Sequence, residues 1–147
     1  MTPISSLKRD ECVFMAKNCE QTERFDEMLE YMKRVLDFPD KLSIEERNLL
    51  SVAYKNSVGS RRTAWRVISS VEMKEETRGS SNLALLKEFK EKIEKELDKT
   101  CEEIIRLLDE KLIKSAEGDP ISEVFYQKMR GDYYRYIAEY RTGEKHK

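Results

Sequence analysis

Apolar residues recur along this chain at three- and four-residue intervals almost from end to end, with only short interruptions. Phe25, Met28, Leu29, Met32 and Leu36 form one such stripe. A second contains Leu85 or Leu86, Phe89, Ile93, Leu97, Ile104, Leu107 and Leu108, and a third contains Phe125, Tyr126, Met129, Tyr133 and Ile137. At ~3.6 residues per turn, each set falls on one face of an amphipathic helix. Breaks occur at Phe38-Pro39-Asp40, Arg78-Gly79-Ser80-Ser81, Glu117-Gly118-Asp119-Pro120 and Thr142-Gly143, where proline, glycine and short polar residues favour turns.

The pattern predicts five helices: from residue 5 or 6 to 20, then 22–37, 43–74, 81–114 (its apolar pattern ending near 112) and 120–141. Ser43 is followed three residues later by Glu46, a capping box that opens the third helix. Pro120, Ser122 and Glu123 open the fifth. No strand pattern and no fixed internal period is present. Short connections make sequential helices antiparallel neighbours, so the expected fold is all-α, a bundle forming a single domain over residues 1–147.

Charge narrows the functional classes. Although 39% of residues are charged, 28 Lys and Arg face 29 Asp and Glu, a net charge of -1. Such a balance provides no general attraction to nucleic acid or anionic lipid, and any anion site must be local. The absence of an apolar run of membrane-spanning length, and an N-terminus MTPISSLKRDECVF too charged for a secretory signal, point to a soluble cytoplasmic chain.

Cys12, Cys19 and Cys101 form no CxxC pair, and their odd number speaks against a disulfide framework. They read as plain buried or half-buried thiols in a reducing compartment. No histidine lies near them, so no metal site is expected. The only histidine, His146, sits in a charged tail, where it makes a poor general base. With no nucleophile, base and orienting group assembled on plausible elements, the chain reads as non-enzymatic, and no cofactor is called for.

The local anion site has a candidate. In RNLLSVAYKNSVGSRRTAWRVISSVE, residues 47–72, Lys55 and Arg62 are seven apart and leave nearly the same helix face. Gly59 lies between them; a glycine inside a helix costs about 1 kcal/mol relative to alanine, which fits a need to keep room for a ligand. GDYYRYIAE, residues 131–139, adds Arg135. A phosphoryl group, with about -1.5 to -2 charges and three acceptor oxygens, suits guanidinium, ammonium and phenol donors.

Those two segments, together with CEQTERFDEM near the start and VFYQKMRGDYYRYIAEY, resemble the 14-3-3 family in residue identity, spacing and order across essentially the whole chain. The resemblance implies a cup-shaped, all-helical, dimeric adaptor that binds phosphoserine or phosphothreonine peptides of client proteins and has no enzymatic activity. It places the phosphate-binding residues at Lys55, Arg62, Arg135 and Tyr136. Arg61, Arg66, Lys128 and Asp132 follow as secondary groove residues, with Asp132 three residues before Arg135 and able to orient it.

The same resemblance puts a dimer interface on the first two helices, residues 1–39, against the third and fourth of a second protomer. Its expected residues are Asn18, Thr22, Arg24, Glu27, Ala64, Ile68, Phe89, Lys92 and Glu96. The repeat Leu50, Ala53, Ser57, Ser60, Ala64, Ile68 and Val71 would serve the chain's own core, the interface, or both. Asn18, Thr22 and Phe89 depart from the residues usual in the family. Ala64 stands where many members carry a phosphorylatable serine, so that switch is absent.

A full member has nine helices and this sequence stops after the fifth, so the expected groove is incomplete. The stripe Phe125, Met129, Tyr133 and Ile137 is then expected to expose apolar area. The leading reading is a dimeric phosphopeptide-binding adaptor. The alternative is a helical dimerisation module without useful phosphopeptide binding that pairs, as a homodimer or heterodimer, with complete family members. Neither reading involves nucleic acid or membrane.

Overall fold

A computed structural model describes residues 2–141; the expected break at Thr142-Gly143 and His146 lie outside them. All regular elements among the described residues are helical. A 3-10 turn, Ile4–Ser6, precedes α1 (Arg9–Gln21), α2 (Phe25–Val35), α3 (Ile44–Arg78), α4 (Leu83–Leu107), α5 (Ile113–Ser115) and α6 (Pro120–Tyr140). A π turn, Leu108–Leu112, joins α4 to α5 without a break, so the described residues make five helical rods.

The boundaries differ from expectation where caps decide them. Leu7 and Lys8 are extended, and α1 starts only at Arg9, where the Glu11 carboxylate accepts the Lys8 N–H at 2.8 Å. Glu23 takes the left-handed conformation at φ 56°. It closes α1 through Arg24 N–H to the Cys19 carbonyl at 2.8 Å and its own N–H to Glu20 at 3.1 Å. This paired closure delays α2 to Phe25. At the far end of α3, Gly79 has φ 66° and makes the same closure, Ser80 to Glu75 at 3.0 Å and Gly79 to Glu76 at 3.1 Å. Glycine carries no Cβ penalty there, and the helix runs to Arg78, past the expected residue 74.

The chain divides into two compact units, Met1–Ser57 and Val58–Lys147. In the first, α1 packs on α2, and Cys12, Ala16, Met28, Met32, Val35, Leu50, Ala53 and Tyr54 are buried. The expected capping box forms: Ser43 N–H donates to Glu46 Oε1 at 2.8 Å, and Glu46 N–H donates to Ser43 Oγ at 3.1 Å. Arg9 adds a fork to the same carboxylate, and Ser57 Oγ donates to Asp26 at 2.6 Å.

In the second unit α4 packs on α6, with Ile93, Leu97, Cys101, Ile104, Leu108, Met129, Tyr133 and Tyr136 in its core. Asp119 caps α6, its carboxylate accepting from the Ser122 N–H at 3.4 Å and from Ser122 Oγ at 2.7 Å, with Pro120 in the first helical position. Polar ties run along the α4–α6 side. Arg130 reaches Asp109 at 2.6 Å, while Tyr140 and Arg141 both donate to Asp98.

One expectation is corrected here. Met129, Tyr133 and Ile137 are buried and Phe125 is half-buried, because this stripe faces the chain's own α4 side. The exposed apolar residues of α6 are instead Ile121, Val124 and Tyr134. On α3, Leu50, Ala53 and Ser57 are buried, Ser60 and Ala64 are exposed, and Ile68 and Val71 are half-buried.

All three cysteines are buried free thiols. Burial raises each thiol pKa, that of Cys101 to about 12. Among the described residues no cluster of three or more His, Cys, Asp or Glu could hold a metal ion, and no helix is long and apolar enough to cross a membrane.

Candidate functional site

Helical register builds the site on α6. Arg135 and Tyr136 stand four and three residues before Glu139, so all three project to one side, and Asp132 lies one turn earlier. The second unit's stretch of α3 supplies Arg62 and, one turn later, Arg66.

Arg62 reaches α6 as a fork. Its Nε donates to Glu139 Oε2 at 3.0 Å and its Nη2 to Oε1 at 2.6 Å, the two parallel bonds that a planar guanidinium makes with a carboxylate. Arg66 Nη2 donates to the same carboxylate at 3.3 Å. The guanidinium carbon of Arg62 lies over the Tyr136 ring, 4.1 Å from its centroid, and that of Arg135 lies over the same ring at 5.2 Å. The ring is fixed from behind by an edge-to-face contact with Tyr133, centroids 5.4 Å apart.

Pairing favours the charged forms of Arg62 and Glu139. The hydrogen bond from Arg62 holds the Glu139 carboxyl below its ordinary range, and the reciprocal bond raises the Arg62 guanidinium against the opposing effect of burial. Asp132 bridges Arg135 at 3.5 Å and Lys128 at 3.4 Å, so the expected orienting pair forms. The Arg135 side chain remains 66% exposed, free to swing toward a ligand without losing core packing. Two guanidiniums over one ring form a surface that can bind an oxyanion.

The sequence model for the 14-3-3 protein family matches residues 15–147. The chain belongs to the 14-3-3 family. It is 52% identical over 149 residues to 14-3-3-like protein GF14 phi of Arabidopsis thaliana, an alignment covering 99% of this chain and 55% of the relative. It is 53% identical over 150 residues to 14-3-3-like protein GF14-E of Oryza sativa subsp. japonica (100% and 57%), and 55% identical over 144 residues to 14-3-3 protein 6 of Solanum lycopersicum (95% and 55%). The chain thus spans about half the length of the curated relatives it matches.

Within this 14-3-3 chain, Arg62, Arg135 and Tyr136 come together in the second unit, while Lys55 stands exposed on the first unit's stretch of α3. A Cβ built at Gly59 would meet no atom within 4 Å, so no neighbouring group in the chain requires the glycine. Arg61 pairs with Glu96 of α4 at 3.0 Å.

The residues expected at a dimer interface are mostly exposed. Asn18 Nδ2 donates to the Phe14 carbonyl at 2.9 Å, and Thr22 Oγ1 to that of Asn18 at 2.9 Å, so both side chains turn back on α1. Arg24, just before α2, pairs with Glu27 of its first turn. Ala64 and Lys92 are exposed, Phe89 is 51% exposed, and Ile68 and Glu96 are half-buried.

Glu139 is the site residue that sequence reasoning overlooked. Its signal was present: it closes the GDYYRYIAE segment at helical spacing from both Arg135 and Tyr136.

Proposed function

We propose that this 14-3-3 chain binds phosphoserine or phosphothreonine peptides of client proteins, with Arg62, Arg135 and Tyr136 of the second unit gripping the phosphate. The observation that carries this reading is the convergence of Arg62 and Arg135 on the Tyr136 ring. Each charge-assisted hydrogen bond to the phosphate contributes about 1.5–3 kcal/mol, so loss of either arginine costs at least about tenfold in affinity. Arg61, Arg66, Lys128 and Asp132 act around this centre by holding carboxylates and orienting Arg135.

The chain acts as an adaptor dimer. Exposed Asn18, Thr22, Arg24, Ala64, Phe89 and Lys92, with Glu27, Ile68 and Glu96, form the pairing surfaces, and two sites in one dimer add avidity for doubly phosphorylated clients. Fluorescence polarisation with matched phosphorylated and unphosphorylated peptides tests the reading. The phosphopeptide alone binds, and Arg62→Glu abolishes its binding. Equal binding of both peptides would sink the adaptor reading and leave a helical module whose role is dimerisation.

A further inference from the structure

The first unit carries a groove of about 550 Å³, lined by the N-terminal stretch, α1 and α2. Helical register makes one of its walls. From Leu7, just before α1, the residues Asp10, Glu11, Phe14 and Met15 recur at three- and four-residue spacing, and Tyr31 of α2 lines the groove with them. Tyr31 is buried and Leu7 and Met15 are half-buried, but Phe14 is 64% exposed. An aromatic ring left in water beside other apolar side chains is a ready anchor for a partner.

The rim is acidic. Glu11 Oε1 accepts the Lys8 N–H at 2.8 Å and Asp10 accepts the Glu11 N–H at 3.0 Å, and both side chains stand exposed. Cations of the same unit engage other carboxylates: Arg9 pairs with Glu46, Lys17 with Glu45 and Arg34 with Asp37. Neither they nor Lys8 line the groove.

These two properties together select the occupant. An anionic ligand is repelled, and a purely apolar one would take water from two carboxylates and give them nothing in return. A bare divalent cation needs about six oxygen ligands, which two carboxylates on an apolar wall do not supply. A peptide with an apolar side chain next to arginine or lysine satisfies both demands. Its apolar side chain covers Phe14, Met15 and Tyr31, while its cation meets Asp10, Glu11 and the open face of the Phe14 ring. The volume falls within the range of about 300–1,000 Å³ usual for ligand sites.

We propose that this groove is a second binding site, which takes a peptide segment of a partner protein carrying an apolar side chain beside arginine or lysine. Phe14 is its apolar anchor, and Asp10 and Glu11 are its charge partners. No phosphate is required, so the site stands independently of the phosphopeptide reading.

The test uses the full 147-residue chain and a fluorescent, end-blocked peptide, Arg-Arg-Leu-Phe-Arg-Arg, in polarisation titrations at low salt. One control peptide replaces every arginine by glutamate, and another replaces the Leu-Phe pair by serines. Wild type should bind the first peptide at least about tenfold more tightly than either control. Phe14→Ala, and Asp10→Asn combined with Glu11→Gln, should each weaken it by at least about threefold. Glutamine at position 11 can still accept the cap bond, thermal unfolding identifies the folded variants, and either folded variant suffices. Affinity unchanged in a folded variant, or equal binding of the glutamate control, overturns the proposal. So does sedimentation velocity in which Phe14→Ala turns a dimer of this chain into monomers, because the groove then seats a second copy.

Discussion

Arg9 and Glu46 join the start of α1 to the start of α3 through two parallel hydrogen bonds, Nε to Oε2 at 2.8 Å and Nη2 to Oε1 at 2.7 Å. The Glu46 oxygen Oε1 also accepts the Ser43 N–H, so one carboxylate closes a helix cap and ties two helices. Its side chain is only 10% exposed. Glu46→Ala removes the forked partner of a half-buried guanidinium, leaving it the Lys41 carbonyl, and strips a cap donor of its acceptor; it should destabilise the chain by about 2–3 kcal/mol in urea unfolding.

The same carboxylate predicts the acid limb of stability. The hydrogen bond from Arg9 lowers the folded pKa of Glu46 below its ordinary 4.5, and Glu139 is lowered likewise by Arg62. A depressed carboxyl stabilises the fold fully above its unfolded pKa and ceases to do so as pH falls through the folded value. Unfolding free energy should therefore hold from neutrality to about pH 5 and fall below it. Glu46→Gln should flatten that fall; an unchanged slope would contradict the assignment.

Arg135 separates binding from stability. Its side chain is two-thirds exposed and its ion pair with Asp132 spans 3.5 Å at the surface. Arg135→Ala should change unfolding free energy by no more than about 0.5 kcal/mol. Phosphopeptide affinity should nevertheless drop at least about tenfold. Comparable changes in both quantities would recast Arg135 as a structural residue.

Glu23 holds a backbone conformation suited to glycine, at φ 56°, and its side chain is exposed. A left-handed residue other than glycine costs about 1–2 kcal/mol. Part of that gain is offset by the extra chain entropy of glycine in the unfolded state. Glu23→Gly should therefore raise stability by about 0.5 kcal/mol, measured as a higher denaturation midpoint at unchanged slope.

The thiols provide a probe of native packing. Cys12, Cys19 and Cys101 are all buried, and burial raises each thiol pKa, to about 12 for Cys101. At pH 8 little thiolate is present and access is blocked, so a disulfide reagent such as DTNB should react slowly with the folded chain. In guanidinium all three should titrate rapidly. Fast reaction of any one in the folded state would show that its helix opens locally.

Much of the architecture was legible because helix formation and core placement answer to local spacing. The stripes through Met28, Met32, Leu97 and Ile104 are buried as their periodicity requires, and Ser43 with Glu46 marked a helix start that forms as read. The misreadings share a cause. The left-handed turn at Glu23 has no glycine to announce it, and the π turn at Leu108–Leu112 keeps the apolar spacing of the α-helix it interrupts. The burial of Met129, Tyr133 and Ile137 depends on which neighbour faces the stripe, which spacing alone does not specify. Of the expected phosphate-binding residues, Arg62, Arg135 and Tyr136 lie together in the second unit. Glu139 shares a helix face with Arg135 and Tyr136, but its pairing with Arg62, 77 positions away, is a long-range contact that spacing alone does not specify.

At the end of α6, Tyr140 and Arg141 both donate to Asp98, and Arg130 reaches Asp109 near its middle. These two moorings bracket Arg135 and Tyr136, so the helix carrying them cannot roll about its long axis without breaking both. A ligand arriving at this surface meets aromatic and cationic groups whose backbone is already set, and little ordering of α6 accompanies capture. Cutting both moorings, as in Asp98→Ala combined with Asp109→Ala, would then weaken recognition by letting the platform turn, even though no atom that touches the ligand has been removed.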